Sequence, residues 1–117
     1  MIIGIGARRG VNKEEVISAI EAALAEVEKK IDDIDIFASS KLKENETGLL
    51  EAVNLLGKDI KFLSEEEINL YDAPSGSQAN RFGLTGVAEP SALALSKKKE
   101  LILRKKVYGR ITIAIAE

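Results

Sequence analysis

Arg8 and Arg9 stand side by side between Gly6 and Gly10, directly after the apolar run Ile2-Ile3-Gly4-Ile5. Asn12 follows, with Glu15 three residues on, the spacing of a helix-capping box. A strand that turns into a helix here aims backbone N–H groups and guanidinium charge at one point, which is the chemistry of an anion site. The pair Gly4-x-Gly6 also invites a dinucleotide reading. Arg9 argues against it, because it stands where the third glycine of G-x-G-x-x-G belongs and obstructs the close approach of helix and strand. Three readings stay open on these residues alone: a carboxylate or phosphate held by Arg8, Arg9 and the helix start, a nucleotide-binding turn, and a purely structural turn.

Two further segments carry groups able to move a proton. Lys43 and Glu46 lie in a polar stretch, where Glu46 equally serves to start the next helix. Glu89 precedes Pro90 in Gly86-Val87-Ala88-Glu89-Pro90-Ser91-Ala92-Leu93. A carboxylate at that place either favours the first turn of a helix or acts as a general base or substrate anchor.

Much chemistry is excluded by composition. The chain has no cysteine and no histidine, so it holds no disulfide, thiol nucleophile, Cys/His zinc site or Ser-His-Asp triad. Acid–base work falls to carboxylates, lysines or tyrosines. A hard-metal site built from carboxylates stays open on composition, but no EF-hand-like spacing of acids occurs, and no metal or cofactor is expected. With 45% hydrophobic and 31% charged residues and a net charge of −2, the 117 residues read as one ordinary globular domain, residues 1–117. No apolar run approaches the roughly 20 residues of a membrane span, and no secretory signal opens the chain; a cytoplasmic protein is expected. Basic residues gather late, at Lys97-Lys98-Lys99, Arg104-Lys105-Lys106 and Arg110. They are not interleaved with aromatics, so a solvated surface is preferred to a nucleic-acid partner.

The elements that must position these groups follow from periodicity. Residues 2–5 read as a short buried strand. From Asn12, the positions Val16, Ile20, Ala23, Leu24, Val27 and Ile31 predict one helix of about five turns. Residues 35–39 form a second strand. Leu49, Val53 and Leu56 lie on one face of a helix stopped by Gly57. Residues 60–63 form a third strand, and Ser64 with Glu67 opens a short helix in capping-box spacing. Loop material fills residues 71–88, with a brief helix at 77–82 stopped by Gly83. Pro90 suits the first turn of a helix through Leu95. Residues 101–107 and 111–116 end the chain as a hairpin around Tyr108-Gly109. The pattern predicts a three-layer α/β/α domain with a mostly parallel, mixed sheet and a C-terminal β-hairpin. Ligands of such sheets bind beyond the carboxyl ends of the strands, where Ala7–Asn12, Ser39–Glu46 and Ser64 gather.

These segments together resemble a known family. Gly4-Ile5-Gly6-Ala7-Arg8-Arg9-Gly10, the pair Lys43 and Glu46 before Gly48-Leu49, and Phe62-Leu63-Ser64-Glu65-Glu66 occur in the expected order. The Gly86–Leu93 segment and the ending from Lys105 through Thr112-Ile113-Ala114-Ile115-Ala116 complete the match. The chain resembles the C-terminal domain of the cobalamin-biosynthesis protein CbiG, which also exists as the small stand-alone protein CobE. Lys41 departs from a frequent acid of that family, Ser39 from a threonine, and Ala7 from a cysteine or similar small residue.

The resemblance implies a corrinoid (tetrapyrrole) substrate and the chemistry of cobalt-precorrin-5A hydrolase. That enzyme opens the ring A δ-lactone and releases a two-carbon fragment as acetaldehyde. On this reading Gly6, Arg8, Arg9, Gly10 and the helix start bind substrate carboxylates, with Ser39, Ser40 and Thr112 as lesser contacts. Lys43 assists or polarises the lactone, and Glu89 or Glu46 is the base. Longer members carry N-terminal domains, so an N-terminal CbiG-like partner or other cobalamin-pathway enzymes are implied. Two rival classes remain: a non-catalytic corrinoid carrier or split-enzyme subunit, and a nucleotide- or phosphate-binding domain.

Overall fold

Strand β1, Ile2–Ala7, is buried along its whole length, as its run of isoleucine, glycine and alanine requires of a central strand. The computed structural model describes residues 1–71 and 87–117. The expected helix at 77–82, its stop at Gly83 and the loop residues Asp72, Pro74, Gly76, Ser77 and Gly86 lie outside the described residues.

Among the described residues five strands form one sheet in the order β3-β2-β1-β5-β4. β2 (Ile36–Ser40) and β3 (Ile60–Leu63) continue from β1 in parallel. On the other side β5 (Ile111–Ala116) runs antiparallel to β1, and β4 (Leu101–Tyr108) antiparallel to β5. The sheet is therefore mixed, with the parallel half built from the N-terminal strands and the terminal hairpin supplying the rest.

Alternation along β1 divides the core. Ile3, Ile5 and Ala7, with Phe37, Ile111, Ile113 and Ile115, face helices α1 (Lys13–Glu26) and α2 (Thr47–Leu55). Ile2, Ala38, Leu63 and Ala116 face α3 (Glu65–Asn69) and α4 (Ala88–Leu95). Helices on both faces of one sheet make the three layers. Gly4 is paired with Ala38 and Ala114, so a lateral row of small residues lies under α4. A Cβ on Gly4 would stand 1.9 Å from the Ala88 carbonyl oxygen. Helix α4 thus rests on bare backbone, and Gly4 is there for contact rather than for a turn.

Several boundaries differ from the sequence reading; β4 takes in Tyr108, and α4 begins at Ala88, two residues before Pro90. β1 extends through Ala7, which places Gly4 and Gly6 inside the strand; of the three glycines only Gly10, at φ +78°, belongs to the turn. β2 takes Ile36–Ser40, one residue later than expected. Helix α1 stops at Glu26, and Ile31 falls in a separate short turn, Ile31–Asp33. The stop is a Schellman closure. The Glu28 N–H donates to the Ala25 oxygen and the Lys29 N–H to the Leu24 oxygen, with Glu28 in the left-handed region at φ +54°. Val27 and Ile31 still pack on the core from outside the helix.

Candidate functional site

Where β1 ends, Arg8 and Arg9 project as exposed residues over a cleft of about 770 Å³. Gly6 and Ala7 supply its inner wall from β1. Gly6 is paired with Thr112, and Thr112 with Val107, so these three form one row across β1, β5 and β4 on the face that carries α4. All three line the cleft, and Gly109 and Arg110 add the hairpin turn. The opposite side comes from the short turn Lys41–Lys43 after β2, through Leu42 and Lys43. The site thus sits beyond the carboxyl ends of the parallel strands, as α/β sheets favour.

Lys43 is 7% exposed, yet it lines the cleft, and its side chain makes no ion pair or hydrogen bond among the described residues. Arg8 and Arg9 likewise have no carboxylate partner there. Arg110 differs. Its Nε donates to Glu15 Oε2 at 3.0 Å, and Nη2 donates to Glu15 Oε1 and, at 3.4 Å, to the Gly10 oxygen. The hydrogen bond from Arg110 and that from the Asn12 backbone hold the Glu15 carboxyl below its ordinary value, and Glu15 raises Arg110 in return. Among the described residues the cleft therefore presents three uncompensated cations and one neutralised guanidinium.

The remaining expected site residues serve the frame around the cleft. Glu46 Oε1 accepts the Gly10 N–H at 3.2 Å and so ties the arginine turn to the start of α2. At Gly48 a Cβ would stand 2.2 Å from the Val11 oxygen, so α2 can approach that turn only through glycine. Ser40 Oγ accepts the Leu42 N–H at 3.1 Å and caps the turn that carries Lys43. Ser39 is fully buried and donates to the Ile5 oxygen at 2.6 Å. Glu89, 1% exposed in the first turn of α4, accepts the Lys105 N–H at 2.9 Å. Gly10, Glu46, Ser39, Ser40 and Glu89 are not part of the cleft lining.

Val11 and Asn12, at the helix start, lie outside the cleft lining as well. Val11 is buried in the core, and Asn12 and Glu15 satisfy one another's N–H groups at 3.2 and 2.8 Å. The charge that reaches the cleft comes from the side-chain cations instead. Sequence reasoning missed Arg110 as the clamp on the turn, and Leu42 and Val107 as lining residues. The signal for the last two was present: each is an apolar residue set among lysines. Among the described residues no cluster of acids is arranged to hold a metal ion, and no helix is long and apolar enough to cross a membrane.

A mixed three-layer α/β domain with a cationic cleft at its strand ends is the class that fold and site define. The model of the family of cobalamin synthesis G C-terminal domains matches residues 1–116. The chain belongs to this family, and so to the proteins of cobalamin biosynthesis. It is 33% identical to the cobalt-precorrin-5A hydrolase of Priestia megaterium over 118 residues, 99% of this chain but 32% of that protein. The chain thus spans about a third of the hydrolase's length. Protein CobE of Sinorhizobium sp is 30% identical over 121 residues, covering 99% of this chain and 79% of that protein. The crystal structure of CobE, from the cobalamin (vitamin B12) biosynthetic pathway, superposes with a TM-score of 0.85 at 30% identity over 97% of this chain and 86% of that one.

Proposed function

We propose that the cleft binds the carboxylate rim of a corrin precursor, and that the domain works as, or within, a cobalt-precorrin-5A hydrolase. The observation that carries this is the convergence of Arg8, Arg9 and Lys43 on one cleft without a carboxylate partner among the described residues. Corrin precursors bear acetate and propionate groups around the ring, and guanidinium pairs are suited to holding them. In the proposed reaction water attacks the lactone carbonyl, the ring oxygen leaves, and the two-carbon fragment departs as acetaldehyde by a retro-aldol step. Lys43 polarises the carbonyl and stabilises the oxyanion. Glu46 or Glu89 is the base that takes the proton from water; each already accepts one backbone N–H, through Oε1 of Glu46 and Oε2 of Glu89, which holds the carboxylate in place.

A specific observation favours a second reading, a corrinoid-binding module or one subunit of a split enzyme. No carboxylate lines the cleft among the described residues. The two readings separate in an acetaldehyde assay with the lactone intermediate. Product from the protein alone supports the hydrolase, product only with an N-terminal partner supports a split enzyme, and binding without turnover in either case supports a carrier. The carboxylate reading itself is tested by replacing Arg8 and Arg9 together by alanine. Corrinoid binding should weaken at least about tenfold, or about 1.4 kcal/mol. Unchanged binding with an intact circular dichroism spectrum removes the assignment.

A further inference from the structure

Two of the chain's exposed large apolar side chains, Leu42 at 79% and Val107 at 67%, both line this cleft. Neither is needed by the core. Each is flanked by cations, Leu42 by Lys41 and Lys43, Val107 by Lys106. A site for small anions has no use for apolar lips, because exposed hydrocarbon beside it adds nothing to charge recognition.

We propose that Leu42 and Val107 are apolar lips that clasp the face of a flat, carboxylate-bearing macrocycle, and that they set the cleft's preference for a wide ring over a small anion. This rests on the reading of the cleft as a carboxylate site. Topology supplies the scale. Leu42 follows β2 and Val107 lies on β4, with β1 and β5 between them. Three strand spacings put about 14 Å between the two lips. A lone carboxylate or phosphate cannot touch both; a tetrapyrrole-sized ring can. The small row of Gly6 and Thr112 beneath leaves the room for a flat body. Ser40 fixes one lip by accepting the Leu42 N–H, and the pairing of Val107 with Thr112 fixes the other.

Uroporphyrin, a flat macrocyclic polycarboxylate, is a suitable probe, with its fluorescence read on titration at low and high salt. In the double variant Leu42→Ser, Val107→Ser its affinity should fall about tenfold, from lost apolar burial, while the salt dependence stays that of the parent. The variant Arg8→Ala, Arg9→Ala should lose affinity and show a flatter salt dependence. Val107→Ile, which extends the lip, should bind at least as well as the parent. Parent-like affinity in the serine variant, with loss in the arginine variant, overturns the lips and leaves the carboxylate site standing. Loss in neither variant, or no binding by the parent, overturns both.

Discussion

The Lys43 side chain shares its cleft with Arg8 and Arg9 and has no carboxylate beside it among the described residues, so its charge meets like charges and its loss costs the fold nothing in ion pairing. Lys43→Met keeps the stem that packs beneath the cleft and removes the charge. Its urea midpoint should equal or exceed that of the parent, while uroporphyrin affinity drops about tenfold. A lower midpoint with parent affinity would make Lys43 a structural residue. Glu46 allows a similar separation. In Glu46→Gln the side-chain oxygen still accepts the Gly10 N–H, so the arginine turn and ligand binding should persist. Acetaldehyde release, if Glu46 is the base, should then be lost; retained release would move that role elsewhere. At this scale the sequence showed which residues carry charge but not what each charge faces. Arg8, Arg9 and Lys43 were legible because a cation near a strand end has few partners to consume it. Glu46 and Glu89 were not, because the N–H groups of Gly10 and Lys105 that engage them belong to distant segments.

Element ends show what local chemistry can and cannot announce. Helices α1 and α2 finish in the same closure, with a left-handed residue after the cap: Glu28 at φ +54° in one, Gly57 at φ +71° in the other. Glycine announced the second stop. Glutamate concealed the first, and the apolar spacing through Ile31 suggested a longer helix. Because an L-residue pays roughly 1–2 kcal/mol in that region while glycine pays only unfolded-state entropy, Glu28→Gly should stabilise the protein by about 0.5–1 kcal/mol in urea unfolding. Gly4 presents the opposite case. Its Cβ would meet the Ala88 oxygen at 1.9 Å, so Gly4→Ala must lift α4 from the sheet. A loss of about 1–3 kcal/mol is expected. The strand pattern and both helical layers were readable from period two and period 3.6, whereas Gly4's reason for being glycine lies in a helix more than eighty residues along the chain.

Across the whole molecule, carboxylates at the surface join segments that the backbone does not. Glu15 binds α1 to Arg110 at the hairpin turn, and Glu26 binds the other end of α1 to Lys106 and Tyr108 on β4. Both carboxyls lie below their ordinary values, Glu15 mainly through its bond from Arg110 and Glu26 mainly through its bond from Lys106. Glu67, bonded by the Ser64 backbone N–H, and Asp35, bonded by the N-terminal ammonium, are lowered as well. A carboxyl whose folded pKa is depressed binds protons more readily when unfolded. Its stabilising effect is therefore complete above the ordinary carboxylate range and disappears as pH falls through the depressed folded value. No histidine titrates above that range. The urea midpoint should accordingly be nearly level between about pH 5 and pH 7 and fall steeply below about pH 4. In the double variant Glu15→Gln, Glu26→Gln the midpoint near pH 7 should be lower and the acid decline shallower, because two of the groups that drive it are gone. The same variant reaches the cleft: with Glu15 neutral, Arg110 becomes a fourth uncompensated cation on its wall, and uroporphyrin should bind more tightly at low salt even as the fold weakens. A midpoint that moves while affinity stays fixed would mean that Arg110 serves the frame alone.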